Sequence, residues 1–408
     1  MRTVICSDRW NRVVGVAALV LGLVVAGCAL PQRGAAVPRD DTSRAAVPGI
    51  PNARFSLGDG LTAMAEEAIA GIERERAAVA RAGGDPDRLP PAHFLAVSGG
   101  GEDGAFGAGL LVGWTQTGTR PQFKLVTGVS TGALTAPFAF LGPEYDDRLR
   151  AVYTDITAAD IFEERGFTAA LFDDAMSDTS PLRHTVERYA DAEMLRRIAE
   201  EYEKGRFLLI GTTDLDARRP VVWNIGAIAA SGSPDALDLF HTILVASAAV
   251  PGAFPPVMID VELDGQPYQE MHVDGGASAQ VFVYPPSLDL SEARGRGNAR
   301  DRVAYVIRNA RLDPDWADTE RRTLSIVGRA VSSLIQSQGI GDLYRIYLTT
   351  RRDGVAFNLA YIGPDFDVPL EEPFDPRYMR ALFDYGYALG RNGYPWQHAP
   401  PGFHELTD

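Results

Sequence analysis

The chain has 408 residues, of which 46% are hydrophobic and 23% are charged. This is the composition of an ordinary globular protein with ample material for a core. The formal net charge of −15 argues against nucleic acid as a partner.

The N-terminus has the features of an export signal. Arginines at positions 2, 9 and 12 precede an apolar run, 13–26, that is shorter than a membrane span. The run ends in Val25-Ala26-Gly27-Cys28, which resembles the lipobox of bacterial lipoproteins. That resemblance implies cleavage before Cys28 and a lipid anchor on its sulfur in the bacterial cell envelope. Because Ala29 follows rather than Asp, it implies the outer membrane in a Gram-negative cell. The alternative is a plain signal peptide with a chance cysteine.

The sequence divides into five parts. We predict a lipoprotein signal peptide (1–27), a flexible tether (28–58), an N-terminal helix (59–91), a catalytic core (92–285) and a C-terminal continuation of the same domain (286–408). The tether is inferred from a Pro-, Ala-, Arg- and Asp-rich composition without periodicity. Apolar residues at helical spacing from Leu61 to Val79 predict the helix, with Asp59 as its cap.

From Ala92 onward, strand-like and helical patterns alternate, which predicts an α/β fold with a largely parallel sheet and helices on both faces. The predicted strands are 93–97, 123–127, 207–212, 221–223, 257–261, 267–273, 302–308 and 355–362. The predicted helices are 105–116, 181–204, 237–250, 319–348 and 376–389. Asp264-Gly265 is a hairpin signal. The charged stretch 291–301 is typical of a mobile loop.

A candidate nucleophile follows the second predicted strand of this region. Residues 128–132 read Gly-Val-Ser-Thr-Gly, and this pattern places Ser130 on a tight strand-to-helix turn with its hydroxyl exposed. The alternative interpretation is an ordinary turn with a serine that caps the helix.

A second glycine cluster, 98–104, lies one strand upstream and precedes a predicted helix. Its backbone N–H groups are suited to stabilising an oxyanion. The same residues also fit the dinucleotide-binding pattern, which requires an acidic residue about 20 positions later. Val126 and Thr127 occupy that place, so the sequence argues against a nucleotide site. Together the two clusters favour a serine hydrolase.

Four segments, 98–101, 128–132, 246–257 and 274–276, resemble patatin-like phospholipases in content and order. The resemblance implies a three-layer α/β sandwich that hydrolyses lipid acyl esters through an acyl-enzyme, without a cofactor. It implies Ser130 as nucleophile and Asp274 as general base, with no histidine. The implied oxyanion donors are the amides of Gly99, Gly100 and Gly101. The remaining motif glycines are Gly104, Gly128, Gly132, Gly275 and Gly276.

The chain departs from the family pattern within the glycine cluster 98–104. Glu102 and Asp103 stand where the family usually has an arginine or lysine just before Gly104. An acidic pair disfavours an anionic headgroup and leaves neutral glycerides or simple esters open as substrates.

Histidine and metal chemistry are the remaining catalytic options. His272 lies two residues before Asp274, so a Ser-Asp-His triad is an alternative to the dyad. A hydrogen-bonded structural histidine is the interpretation we favour. The other histidines lack ligand spacing, so no metal site is predicted.

Two alternatives to the esterase come from other classes of function. One is a catalytically idle lipoprotein that binds lipid or a partner protein, and no particular protein partner is predicted. The other is an acyltransferase that uses the same acyl-enzyme.

Overall fold

The computed structural model describes residues 33–56, 61–164, 177–291, 300–313, 316 and 318–403. The helices are α1 (Leu61–Arg81), α2 (Gly104–Thr115), α3 (Thr131–Leu141), α4 (Asp146–Thr154), α5 (Ser180–Tyr189), α6 (Ala192–Tyr202), α7 (Ile225–Ala230), α8 (Ala236–Ser247), α9 (Thr323–Asp353) and α10 (Pro376–Arg391). The strands are β1 (Arg54–Ser56), β2 (Ala92–Val97), β3 (Leu125–Val129), β4 (Glu163–Glu164), β5 (Ser177–Asp178), β6 (Phe207–Asp214), β7 (Arg219–Asn224), β8 (Val257–Leu263), β9 (Gln266–Asp274), β10 (Arg302–Arg311) and β11 (Ala356–Ile362).

One sheet organises the domain, with the strand order β1-β7-β6-β3-β2-β10-β11. The five strands β6, β3, β2, β10 and β11 are parallel. Strands β7 and β1 extend one side of the sheet in antiparallel pairing. Strand β9 also pairs with the end of β6, where Thr212 lies opposite Asp274, and β8 pairs with β9. This arrangement brings the end of β9 to the carboxyl edge of the parallel strands.

Helices cover both faces of the sheet, as predicted. On one face the core includes apolar residues of α2, α3, α8 and α10. On the other face α1 and the second half of α9 supply Met64, Leu343 and Ile346. Helices α2 and α10 touch backbone to backbone at the glycines 109, 113, 386 and 390. That contact fixes the start of α2, which follows the glycine cluster 98–104.

The N-terminal segment differs from the flexible tether predicted for 28–58. In the described part of it, 33–56, the buried residues are Val37, Ala45, Val47, Ile50, Ala53 and Phe55. Strand β1 pairs with β7, and the Ala46 backbone bridges to Glu262. Arg33 forms an ion pair with Asp216 at 2.6 Å. This stretch is therefore part of the domain, because scattered apolar residues gain burial without any periodicity.

Several element boundaries also differ from the predictions. The predicted helix 181–204 is two helices, because the chain breaks at Ala190 and Asp191 caps α6 by accepting a hydrogen bond from Met194 N–H. Helix α9 continues to Asp353, where Gly354 in the left-handed conformation ends it. Asp264 and Gly265 form the predicted hairpin turn. The predicted cap Asp59, and residues 292–299 of the predicted mobile loop, lie outside the described residues.

Within the described ranges, no helix combines the length and the apolar character that crossing a membrane requires.

Candidate functional site

Ser130 lies at the junction of β3 and α3 with φ 56° and ψ −128°, a conformation that non-glycine residues rarely adopt. This is the strained turn predicted from residues 128–132. A serine held in such a turn has its hydroxyl aimed away from both flanking elements.

Gly128 and Gly132 flank this turn, and neither position has room for a side chain. An added Cβ at Gly128 would lie under 3.0 Å from the backbone of Gly132, and one at Gly132 would lie equally close to the carbonyl oxygens of Val97 and Ser98. The turn therefore fits against the end of β2 only when both positions lack a side chain.

A second serine holds the turn from behind. The Ser130 N–H donates to Ser247 Oγ at 3.0 Å, and Ser247 Oγ donates to Gly211 O at 2.7 Å. Ser247 is completely buried at the end of α8. Since the Ser130 N–H is used in this way, it is not an oxyanion donor in this conformation.

Asp274 ends strand β9, and its carboxylate is buried beside the Ser130 hydroxyl. Its Oδ1 accepts a hydrogen bond from Gly276 N–H at 2.6 Å. Its Oδ2 has no partner of hydrogen-bonding geometry in the described part of the chain. The backbone N–H of Asp274 donates to Ala249 O at 2.8 Å. One carboxylate oxygen is therefore held in place while the other remains available to accept a proton.

Burial raises the pKa of Asp274 to about 6, while the Ser130 hydroxyl and the Gly276 N–H oppose that rise. Removing a carboxylate from water destabilises its charged form and so makes it a stronger base. A base of this strength is better matched to a hydroxyl near neutral pH than an ordinary carboxylate of pKa ~4.

The glycine loop lies next to this pair, but its three amides are not equivalent. Gly99 N–H donates to Gln280 O at 3.1 Å, so it is already satisfied. The sequence prediction that Gly99 contributes an oxyanion donor therefore does not fit this geometry. Gly99 instead packs against the Ser130 side chain, where an added Cβ would lie 3.1 Å from the serine Cβ.

Gly100 and Gly101 are the remaining donors. Neither N–H donates to a protein acceptor among the described residues. Gly100 packs against the backbone of Asn309, and Gly101 has φ 57° with open space where its side chain would be. A backbone amide without a protein acceptor is available to a ligand.

The other motif glycines support this geometry. Gly104 begins α2 against the Thr131 hydroxyl, and Gly275 packs on the carbonyl of Gly211. Gly276 supplies the N–H that binds Asp274. The structure thus brings the four sequence segments together at the carboxyl edge of β2, β3 and β6, the edge at which α/β sheets bind ligands.

An apolar cavity opens beside Gly101 and Thr131. Its lining includes Gly101 and Thr131, and it extends between helices α3, α4, α5, α8 and α10. Further lining residues are Leu134, Phe138, Val152, Ile156, Leu182 and Val186. The polar groups at its wall satisfy one another, since Tyr153 OH lies 2.7 Å from Thr131 Oγ1 and 2.8 Å from Thr135 Oγ1. Such a cavity is suited to a hydrocarbon chain.

The negative charge of Glu102 and Asp103 in the glycine cluster is partly compensated by nearby groups. Tyr378 OH donates to Asp103 Oδ1 at 2.5 Å. Burial raises the pKa of Asp103 to about 6, the repulsion of Glu102 adds to the rise, and Tyr378, Arg308 and Arg311 oppose it. The loop is therefore not the uncompensated acidic patch that the sequence suggested, because two arginines from β10 lie close to it.

His272 is a hydrogen-bonded structural residue. It is completely buried, with Nδ1 2.9 Å from Thr212 Oγ1 and Nε2 3.1 Å from Glu270 Oε2. Glu270 also forms a buried ion pair with Arg54 of the N-terminal segment. Both ring nitrogens are thus occupied away from Ser130, which argues against a triad.

The described residues contain no group of side chains that could hold a metal ion. Cys28 lies outside the described residues.

Sequence reasoning missed three polar residues that support the site. Ser247 lies inside a motif segment but gave no sign of its contact with Ser130. Gln280 binds both the glycine cluster 98–104 and the segment 274–276. Its carbonyl accepts from Gly99 N–H, and its Nε2 donates to Gly276 O at 2.9 Å. Asn309 donates to Ser98 O at 3.0 Å. Its position at the end of an apolar strand was the signal that could have found it.

Comparisons with known proteins bear on the family and the fold. Residues 95–285 match the family model described as patatin-like phospholipase, a family that acts on lipid substrates. No curated protein matches the chain. Among solved structures, the crystal structure of VipD from Legionella pneumophila is similar over 74% of this chain and 67% of VipD, with 12% identity and a TM-score of 0.31. The α/β sheet flanked by helices is consistent with the family fold. Residues 95–285 therefore form a patatin-like phospholipase domain.

Proposed function

We propose that the protein hydrolyses carboxylic esters of lipids with a Ser130–Asp274 dyad. The observation that carries the proposal is the buried Asp274 Oδ2, which has no hydrogen-bonding partner in the described part of the chain and lies on a carboxylate adjacent to the Ser130 hydroxyl. A buried carboxylate oxygen without a partner destabilises the folded state, so its presence calls for a functional explanation. Accepting the serine proton is such a function.

The reaction runs through an acyl-enzyme. Asp274 Oδ2 takes the hydroxyl proton as Ser130 Oγ attacks the ester carbonyl carbon. The Gly100 and Gly101 N–H groups stabilise the negative charge that develops on the carbonyl oxygen. The carbon–oxygen bond to the alcohol then breaks, and Asp274 returns its proton to the leaving oxygen. A water molecule, deprotonated by Asp274, attacks the acyl-enzyme and releases the fatty acid and Ser130.

The substrate class follows from the shape and chemistry around the dyad. The apolar cavity beside Gly101 and Thr131 is suited to the aliphatic acyl chain. Glu102 and Asp103 directly follow Gly101, one of the two candidate oxyanion donors. Because Arg308 and Arg311 counter these carboxylates, both neutral and phosphate-bearing alcohols are compatible with this region.

Active-site labelling tests the proposal. A fluorophosphonate should label Ser130, and Ser130→Ala should abolish both labelling and ester hydrolysis. Asp274→Asn should abolish hydrolysis as well. Ser278→Ala is a matched control, because it removes a half-buried hydroxyl of the same loop that binds only Thr213 in the described contacts. Labelling without turnover of any ester would favour an idle binding protein. Acyl transfer to an added alcohol in preference to water would favour an acyltransferase.

We further propose that the protein is a bacterial envelope lipoprotein attached through Cys28. The motif 25–28 supports this proposal, and Ala29 supports the outer membrane in a Gram-negative cell. Cys28→Ser should release the protein from membranes, and unchanged membrane fractionation would contradict lipidation.

A further inference from the structure

The hairpin of β8 and β9 projects beyond the carboxyl edge of the sheet, on which the dyad lies. Strand β3 ends beside β6 at Val129, which lies opposite Gly211. Strand β9 pairs with β6 only at the next residues, 212–214, where β7 already occupies the other side of β6. Strand β9 therefore continues the line of β3 outward past Ser130, and it reaches the site from outside at Asp274.

The first described residues of the chain are attached to this hairpin. We call residues 33–46 the strap. Arg33 donates to both carboxylate oxygens of Asp216, at 2.8 and 2.6 Å, and to Gln269 O of β9 at 2.7 Å. The Gln269 N–H donates to Ala35 O at 2.9 Å. The beginning of the strap is thus held by backbone and side-chain bonds together.

The other end of the strap is held at the tip of the hairpin. Arg44 donates to both oxygens of Asp264 at 2.6 and 2.8 Å. The backbones of Ala46 and Glu262 exchange two hydrogen bonds, at 3.0 and 2.8 Å. Because the strap is fixed at both ends, the place at which the chain enters the domain is fixed as well.

That place lies on the same edge of the sheet as the dyad. Asp216 is in the turn between β6 and β7, four residues beyond Thr212, which pairs with Asp274. Gln269 lies five residues outward from Asp274 on β9, a distance of about 16 Å along a strand. Arg33 binds both of these residues, so it lies beyond the carboxyl edge.

The position of Arg33 limits where a lipid on Cys28 can lie. Five residues lead from Cys28 to Arg33, and even a fully extended chain of that length spans at most about 18 Å. The amino edge of the sheet, at Phe207 of β6, is about 33 Å from Gln269 along the strands. A lipid anchor at Cys28 is therefore confined to the side of the sheet on which the dyad lies.

We infer that the strap orients the anchored enzyme, so that the dyad faces the membrane that holds Cys28 and hydrolyses lipid esters of that same membrane. The inference rests on the proposed function, because it needs both the dyad and the lipid anchor. A net charge of −15 gives the protein no attraction to an anionic surface, so its orientation depends on the attachment. Substrate in a separate membrane would instead require a dyad that faces away from the anchor.

Orientation is measured without catalysis by energy transfer to a labelled membrane. Cleavage before Cys28 would leave residues 28–408, which include every described residue and have Cys28 as their only cysteine. This thiol is coupled to maleimide-bearing lipid in phosphatidylcholine vesicles that contain an acceptor dye. A donor dye is attached to amines. The chain has two lysines: Lys124 is buried, whereas Lys204, three residues before β6 on the amino edge, is 53% exposed.

The matched variant moves the reactive amine to the other edge. Lys204→Arg with Gln266→Lys carries it at the exposed end of the β8–β9 hairpin, and Lys204→Arg alone gives the signal of the N-terminal amine, which is subtracted. The two positions are about 40–50 Å apart along the strands, so the donor at 266 should transfer about threefold more energy, or still more, than the donor at 204. Equal transfer, or more from 204, would overturn the inference.

The place of the anchor supplies the second measurement. Arg88→Cys with Cys28→Ser moves the coupling site to an exposed residue four positions before β2, on the amino edge. An ester lipid in the enzyme's own vesicles should be hydrolysed about tenfold more slowly with this anchor than with Cys28, because a short attachment cannot bring the dyad to the surface. A soluble short-chain ester should be hydrolysed equally by both. Equal rates on the vesicle lipid would overturn the inference.

Failure of the proposed function would look different. A protein inactive on the soluble ester with either anchor would overturn the hydrolase, and unchanged membrane fractionation of Cys28→Ser would overturn natural lipidation. The energy transfer would still decide the orientation, because the coupling at Cys28 is chemical and needs neither activity.

Discussion

The backbone N–H of Ser130 is held by the side chain of Ser247, at 3.0 Å, across more than a hundred residues of sequence. Ser247 passes this constraint to strand β6, because its hydroxyl donates to Gly211 O. The strained turn at Ser130 is thus fixed to the strand that pairs with the end of β9, where Asp274 lies. One buried hydroxyl therefore helps set the relative position of Ser130 and Asp274.

We expect Ser247→Ala to reduce catalysis through position alone. The substitution leaves the Ser130 N–H and the Gly211 carbonyl buried without a partner, which costs about 1–3 kcal/mol of folding free energy. It also frees the turn, so kcat should fall about tenfold or more while KM changes little. Steady-state kinetics and urea denaturation of the variant measure both effects.

The control for Ser247→Ala is Ser278→Ala, which removes a half-buried hydroxyl that does not contact the turn in the described contacts. Its kcat should stay near the wild-type value. An equal drop in both variants would mean that the site responds to any lost hydroxyl in the region, and the positioning role of Ser247 would have to be given up.

The pH dependence of hydrolysis should follow Asp274. Its pKa is raised by burial to about 6, and only the carboxylate can take the serine proton. Below that pH the group is protonated, so kcat/KM should fall about tenfold for each further pH unit and should level off above pH ~7. A pH profile with a soluble ester measures this limb.

Asp103 has a pKa raised to about the same value, so it needs to be separated from Asp274 in the profile. Asp103→Asn keeps an acceptor for Tyr378 and removes the titration. The acidic limb should persist in this variant. If the limb disappeared with Asp103→Asn, the titrating group would be Asp103 and the assignment of the base would fail.

Asp274→Asn should make the folded protein more stable above neutral pH. Burial raises the pKa of Asp274 from 3.8 to about 6, so the folded state pays for a buried charge above pH 6 and not below pH ~4. The variant should gain up to about 3 kcal/mol at pH 8, and the gain should vanish as the pH falls from 6 to 4. Urea denaturation at these pH values measures the difference. A less stable variant at pH 8 would show that the carboxylate stabilises the fold.

His272→Ala should separate stability from catalysis. The histidine binds Thr212 and Glu270 deep in the protein, so its loss should lower the free energy of unfolding by about 1–3 kcal/mol. The folded fraction should keep most of its kcat, because neither ring nitrogen faces Ser130. Titration of active sites with a fluorophosphonate gives kcat per folded enzyme. A loss of kcat as large as that of Ser130→Ala would instead support a Ser-Asp-His triad.

The tight turn at Ser130 was predictable because its local sequence pattern is strict. A serine between two glycines after an apolar strand indicates a tight turn, and the structure places Ser130 in one. The alternation of strands and helices likewise predicted the parallel part of the sheet. Both signals come from short stretches of chain, in which backbone geometry limits the residues that fit.

Other features depend on contacts between distant residues and leave little local trace. The packing of 33–56 uses scattered apolar side chains, so composition alone suggested a tether. The bond from Gly99 N–H to Gln280 O links two loops, and no spacing rule gives it. The break at Ala190 had a local signal, the capping residue Asp191, but the continuing apolar spacing concealed it.

Gly132→Ala should damage both the fold and the site. An added Cβ would lie under 3.0 Å from the carbonyl oxygens of Val97 and Ser98, which are backbone atoms that cannot move aside cheaply. We expect a loss of about 1–3 kcal/mol in the free energy of unfolding, measured by urea denaturation. Because Ser98 leads directly into the glycine cluster 98–104, kcat should fall as well.

Gly341→Ala is the matched control, since its Cβ would meet nothing within 4 Å in helix α9. It should raise stability by about 0.5–1 kcal/mol. If Gly132→Ala were as stable and active as the control, the close approach of the nucleophile turn to the end of β2 would be wrong.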